Sequence, residues 1–137
     1  MVANTAPIFS KVARIAWANG ITAANTAKDG TGTVDTVFTA DATNGSYLQK
    51  LIVRPRGTNV ASVLRVFLNN GSANSTAENN TLIAEQSLPA STNSETAAIA
   101  GFEVPMNIPL PPGYKINVNL GTAVAGGYAV AGVGGDY

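Results

Sequence analysis

Tyr114-Lys115-Ile116-Asn117-Val118-Asn119-Leu120 is the stretch that decides the fold. Large apolar and polar side chains alternate at every position, the period of a strand with one face on a core and one on water. Tyr114, Ile116, Val118 and Leu120 are expected inward, and Lys115, Asn117 and Asn119 outward. Before it, Pro105, Pro109, Pro111 and Pro112 punctuate Ile108 and Leu110 as an extended, irregular edge, and Gly113 closes that edge.

The same grammar recurs toward the N-terminus. Ala98 to Met106 reads as a strand with Phe102, Val104 and Met106 on one face, and Thr81 to Leu88 as another, stopped by Pro89. Val63 to Leu68 puts Leu64, Val66 and Leu68 on one face and Val63, Arg65 and Phe67 on the other. Tyr47 to Val53 is ended by Pro55, which has no N–H to donate to a ladder. Val34 to Thr39 follows the turn-like Lys28-Asp29-Gly30-Thr31-Gly32, and the tight-turn dipeptide Asn44-Gly45 follows that strand. Phe9 to Ala18 could place Phe9, Val12, Ala13 and Ala16 on a helical face. Arg14-Ile15-Ala16-Trp17 also alternates and no capping box precedes it, so a strand is predicted. Toward the C-terminus, Tyr128 to Val133 is the last strand. Ser72 to Asn80 and Ala90 to Glu95 have no apolar period and read as exposed polar loops.

About eight strands with no helix predict an all-β fold, an antiparallel β-sandwich. Eight strands in two four-stranded sheets are the arithmetic of a jelly roll, and alternation in each strand predicts one wet face per sheet. No motif recurs at a fixed period, which disfavours a propeller or solenoid. The length of 137 residues fits one domain. Residues 1–12 read as an N-terminal arm and 13–137 as a single jelly-roll sandwich. Ile8 and Phe9, after Pro7 in a polar lead-in, must bury their side chains against their own domain or a neighbouring subunit.

Composition narrows the chemistry. The chain has no cysteine and no histidine, which removes thiolate nucleophiles, cysteine-based zinc sites and the commonest general base. Its eight basic and eight acidic side chains leave a formal net charge of zero, without the basic excess of a nucleic-acid binder. Ala (22), Gly (14), Asn (14) and Thr (14) supply 64 residues, so ionisable groups are scarce. These features predict a protein that is not an enzyme and needs no metal or cofactor. The start of the chain lacks the charged and apolar regions of a signal peptide, and Thr122 to Val133 is too short to span a bilayer. Synthesis in a cytoplasm is therefore expected.

Individual motifs agree. Asp29-Gly30-Thr31-Gly32-Thr33 superficially resembles a phosphate-cradling loop but lacks the Lys-Ser/Thr ending and precedes a strand, so it reads as a turn. The sequons at Asn44, Asn70, Asn74 and Asn79 read as turn chemistry. Arg54, Arg56 and Arg65 gather around one predicted hairpin, either as a docking patch for an acidic partner surface or as solvated strand ends. Trp17, the sole tryptophan, reads as sheet packing rather than as a sugar platform.

Several segments in order give the chain a family likeness. They are Ala6-Pro7-Ile8-Phe9, Asn25 to Val34, Val37-Phe38-Thr39-Ala40, Leu51-Ile52-Val53, Leu64 to Leu68, Leu110-Pro111-Pro112-Gly113-Tyr114 and Gly134-Gly135-Asp136-Tyr137. With them the chain resembles small tailed-bacteriophage structural proteins of the head decoration or cement type. The resemblance implies a non-enzymatic jelly roll, made in the bacterial host cytoplasm, that assembles on the outer surface of the icosahedral head. The implied partners are the major capsid protein and copies of itself, commonly as a homotrimer, and neither nucleic acid nor membrane. Ile8, Phe9, Lys11, Arg54 and Arg56 are the expected contact residues. The long Ser72–Asn80 and Ala90–Glu95 loops depart from the family pattern. They keep open an alternative, a receptor- or glycan-binding module of a tail fibre or other virion appendage. That alternative requires an exposed aromatic cluster near these loops, drawn from Trp17, Tyr47, Tyr114, Tyr128 and Tyr137. A hydrolase would instead require two carboxylates facing each other across a pocket.

Overall fold

A computed structural model describes residues 10–137. These residues form eight strands: β1 (Val12–Ile21), β2 (Asp35–Thr39), β3 (Ser46–Pro55), β4 (Ser62–Asn69), β5 (Asn80–Leu88), β6 (Phe102–Leu110), β7 (Lys115–Leu120) and β8 (Tyr128–Asp136). One 3-10 turn, Ala77–Asn79, leads into β5. The strands pair antiparallel in two four-stranded sheets. Sheet I runs β1-β8-β3-β6 and sheet II runs β2-β7-β4-β5. Only β4 and β5 are neighbours both in sequence and in a sheet; every other connection crosses from one sheet to the other. The fold is therefore an all-β antiparallel sandwich, as the alternation predicts.

The core lies between the sheets. Leu48, Leu51, Val53 and Val130 from sheet I meet Phe38, Leu64, Val66 and Ile116 from sheet II, all essentially closed to solvent. Leu48 and Leu51 are out of step by two-residue alternation, yet both point inward. Gln49 is an extra residue against β8, because Leu48 pairs with Gly134 while Lys50 pairs with Val133. Such a bulge resets the face on which a strand's side chains fall.

Phe9 to Ala18 resolves as strand from Val12 onward, in agreement with its alternation. The strand expected over Ala98 to Met106 begins and ends four residues later, at Phe102–Leu110. Proline suggests an irregular segment to a reader of sequence, but β6 is an edge strand, where a missing N–H costs no ladder bond. Asn107, at φ 52°, is the extra residue of a second bulge: Leu48 pairs with Ile108 and Lys50 with Pro105.

The outward placement of Asn117 and Asn119 is correct for the sheet face but wrong for solvent. They are 3% and 2% exposed, and Phe67, opposite Asn117 in the ladder, is fully buried. The expectation of one wet face per sheet thus fails for sheet II, because chain from elsewhere lies over it.

Candidate functional site

The covering of sheet II is built from asparagine. Between β1 and β2 the chain makes a long excursion, joined to β7 by a parallel bridge from Ala24 to Leu120 and by the Asn25 N–H donating to the Leu120 carbonyl at 2.8 Å. The Asn119 amide donates to the Ala27 carbonyl of the excursion at 3.2 Å, while Asn117 is held within the sheet, its Oδ1 accepting from the hydroxyl of its β2 ladder partner Thr36 at 2.7 Å. Asn25 closes the excursion on itself, its Nδ2 donating to the carbonyls of Thr31 and Thr33.

The Ser72–Asn80 loop locks onto the same excursion. Asn74 Nδ2 donates to the carbonyls of Gly30 (3.1 Å) and Gly32 (2.9 Å). Within the loop, Asn69 Nδ2 donates to Asn80 Oδ1 at 2.7 Å and Asn80 Nδ2 to the Asn74 carbonyl at 2.8 Å. Gly30 has φ +80°, and a Cβ there would lie 2.5 Å from the Asn80 Cβ, so the two segments approach too closely for any larger residue. A carboxamide offers donors and an acceptor without charge, which suits the satisfaction of loop backbone that no ladder reaches. Asn59, also buried, does the same between loops: it brackets Gly127 by accepting from its N–H (2.9 Å) and donating to its carbonyl (3.1 Å). The Ala90–Glu95 segment is likewise held, with Ser91 and Asn59 exchanging backbone bonds of 2.9 and 3.0 Å.

Sheet I is the contrast. Its outer face is open and apolar. The ladder aligns Trp17 with Ala131, Ile52 and Glu103, and Ile15 with Val133, Lys50 and Pro105. Ile15 is 61% and Trp17 63% exposed, on edge strand β1. A shallow depression of about 340 Å³ is lined by Trp17, Asn19, Ile52, Arg54, Ala129 and Ala131, together with Val130. Exposed apolar surface gathered on one face, interrupted by a single ion pair, has the character of a docking surface. The Lys50–Glu103 pair, 3.0 Å apart, sits beside it.

The residues expected to make contacts fall as follows. Arg54 lines the depression with Trp17, its aliphatic chain lying over Gly101. Arg56 is exposed, with its guanidinium facing Gly20 at the end of β1. Lys11 is exposed just before β1, its N–H donating to the Asp136 carbonyl at 2.8 Å. Ile8 and Phe9 lie outside the described residues. Arg65 does not join Arg54 and Arg56. It belongs to sheet II, pairs with Glu85 at 3.0 Å and is largely enclosed. The connection after β3 changes sheets, so the expected hairpin does not form.

Trp17, Tyr47, Tyr114 and Tyr128 do not gather at the long loops; Tyr137 is half-buried at the chain end, its N–H donating to the Gly45 carbonyl at 3.2 Å. Trp17 and Tyr47 share the outer face of sheet I, Tyr114 borders the Asn79–Asn80 segment alone, and Tyr128 is fully buried, its hydroxyl pKa pushed up by that burial. Among the described residues, no three acidic side chains converge. Asp136 accepts from Arg14 and Ser46, which ties the end of β8 to β1 and β3. Arg14 also stacks over Phe38 at 4.7 Å, closing the β1–β2 flank of the sandwich. Sequence reasoning missed Ile15 and Trp17 as surface residues because an alternating strand does not disclose which apolar face meets the partner sheet. No protein-family description, curated protein or solved structure matches the chain.

Proposed function

We propose that this protein is a bacteriophage structural protein, a decoration or cement protein that binds the outer surface of an icosahedral head and stabilises it by surface burial. The observation that carries the reading is the open apolar face of sheet I, with Trp17 and Ile15 exposed and Arg54 at its margin. Covering the exposed part of Trp17 removes on the order of 150 Å² from water. At about 25 cal/mol per Å² that contributes about 3–4 kcal/mol at every copy on the shell. The strand order β1-β8-β3-β6 over β2-β7-β4-β5 supports reading the sandwich as a jelly roll, a fold of capsid and lectin domains. The ordered sequence likeness to phage head proteins supports the choice of partner, the major capsid protein.

The test is binding to purified heads that lack the protein, followed by electron microscopy. Wild-type protein is expected to saturate regular positions on the shell, and the Ile15→Lys/Trp17→Asp variant to lose binding while melting at the wild-type temperature. Density on the tail or nowhere, or undiminished binding of the variant, would overturn the reading.

A second reading rests on one observation. Trp17 stands beside Asn19 and Arg54, an aromatic platform with polar groups at its rim, which suits a sugar ring. Trp17 is the sole tryptophan, so its fluorescence reports both cases. A shift on adding heads and none on adding sugars supports the decoration reading; the reverse supports a receptor-binding module.

A further inference from the structure

The cover over sheet II leaves one opening. Where the Ser72–Asn80 loop meets the end of the β1–β2 excursion, a cavity of about 250 Å³ reaches down to the sheet. Its floor is Lys115, Asn117 and Asn69, and Ser72 and Asn74 stand on its loop wall. The ladder sets Lys115 beside Asn69, and Asn117 follows two residues along β7 on the same outer face.

The half-buried cations of the sandwich are treated alike except here. They are Arg14, Lys50, Arg65 and Lys115. Arg14 holds Asp136 at 3.1 Å, Lys50 holds Glu103 at 3.0 Å and Arg65 holds Glu85 at 3.0 Å. Lys115 holds no carboxylate among the described residues. A charge drawn partly out of water is stabilised by an opposite one, which the chain supplies to the other three. The floor adds a second observation. Asn117 is 3% exposed; its Oδ1 accepts from the Thr36 hydroxyl, and no described residue accepts from its Nδ2. The cavity thus presents an ammonium and a carboxamide NH₂ on one strand face, a donor set for one carboxylate.

We propose that this cavity binds a small hydroxylated carboxylate, the class of the sugar acids. Its carboxylate lies between Lys115 and Asn117 and gives Lys115 the partner that the other three cations find within the chain. One ammonium balances a monoanion, whereas a phosphate brings up to two negative charges. Lys115 is the one charged residue in the lining, and the amides and hydroxyls of Asn69, Ser72 and Asn74 suit the ligand's hydroxyls. The volume admits a six-membered ring, since a cavity of about 150 Å³ holds benzene. No aromatic ring lines the cavity, and it lies on the other sheet from Trp17. It therefore stands whether or not the open face of sheet I binds a head.

The test is titration of the full-length protein with sodium glucuronate, read by proton–nitrogen NMR, with glucose and sodium chloride as controls. Glucuronate is expected to shift the Asn117 side-chain amide and the backbone amides of residues 71–74 saturably. Glucose, which lacks the carboxylate, is expected to bind at least about tenfold more weakly. Lys115→Met should weaken glucuronate binding by about tenfold or more at the wild-type melting temperature, while Lys115→Arg, which keeps the charge, still binds. Ser72→Asp, on the exposed loop wall, sets a carboxylate of the chain's own in the cavity and is expected to block it. If Lys115→Met melts early, Ser72→Asp decides in its place. An absent or unsaturable shift, an equal response to glucose, or undiminished binding by either variant would overturn the proposal. So would a capped glycine-glutamate-glycine peptide that shifts these amides when glucuronate does not, since the site would then serve an acidic side chain of a partner protein.

Discussion

The outer faces of the two sheets begin from the same backbone pattern and end differently. On sheet II, Phe67, Asn117 and Asn119 are sealed beneath the β1–β2 excursion and the Ser72–Asn80 loop. On sheet I, Ile15 and Trp17 stand in water. A covered face adds a second layer of burial to the fold and belongs to stability. An open apolar face lowers solubility and adds nothing to the isolated fold. A large aromatic on an outer face thus has a role set by what lies above it.

The largest effect should separate Phe67 from Trp17. Phe67→Ala is expected to cost about 3–5 kcal/mol in urea denaturation, as for a core aromatic. If sheet II were as open as sheet I, that variant would unfold no more easily than Trp17→Ala. Next come the fastenings of the cover. Asn74→Ala removes the donor to the Gly30 and Gly32 carbonyls and should cost about 1–2 kcal/mol. Amide hydrogen exchange should quicken over residues 25–34 while sheet I stays protected. Uniform quickening would mean that the cover is not a separable layer.

A smaller effect is a matter of pH. Burial raises the Asp35 carboxyl above its ordinary value of 3.8, so the fold favours its protonated form. Its favourable contribution is complete below the ordinary value and is lost as pH rises through the folded one. Asp35→Asn should therefore stabilise the protein at neutral pH and leave it unchanged in acid. Asp29 and Asp41 behave oppositely. Hydrogen bonds from Thr31, and from the N–H groups of Asn44 and Thr43, lower their pKa values, so their contribution is lost as pH falls. A stability curve for Asp35→Asn parallel to wild type across this range would contradict the enclosure of β2. The smallest effect is the most telling: Trp17→Ala should change stability by no more than about 0.5 kcal/mol.

Much of the fold was legible in the sequence. Seven strands lie nearly where alternation predicts them, because alternation and Pro or Gly punctuation act within a few residues. The eighth, β6, lies four residues beyond its predicted place, because proline has opposite meanings at the middle and the edge of a sheet, and edge position is not a local property. Ile15 and Trp17, the large apolar residues exposed on sheet I, are hidden in sequence, in a strand whose two faces look alike.

An all-β chain, the inward row of each clean strand and a surface poor in ionisable chemistry follow from side-chain period and composition alone. Which outer face is covered depends on contacts between distant parts of the chain. The asparagines that fasten the cover are 11 to 92 residues from some of their partners, as for Asn69 with Asn80 and Asn119 with Ala27. A carboxamide in sequence signals a turn or a wet surface. Its burial is set by the chain that folds over it and supplies the carbonyls it must satisfy.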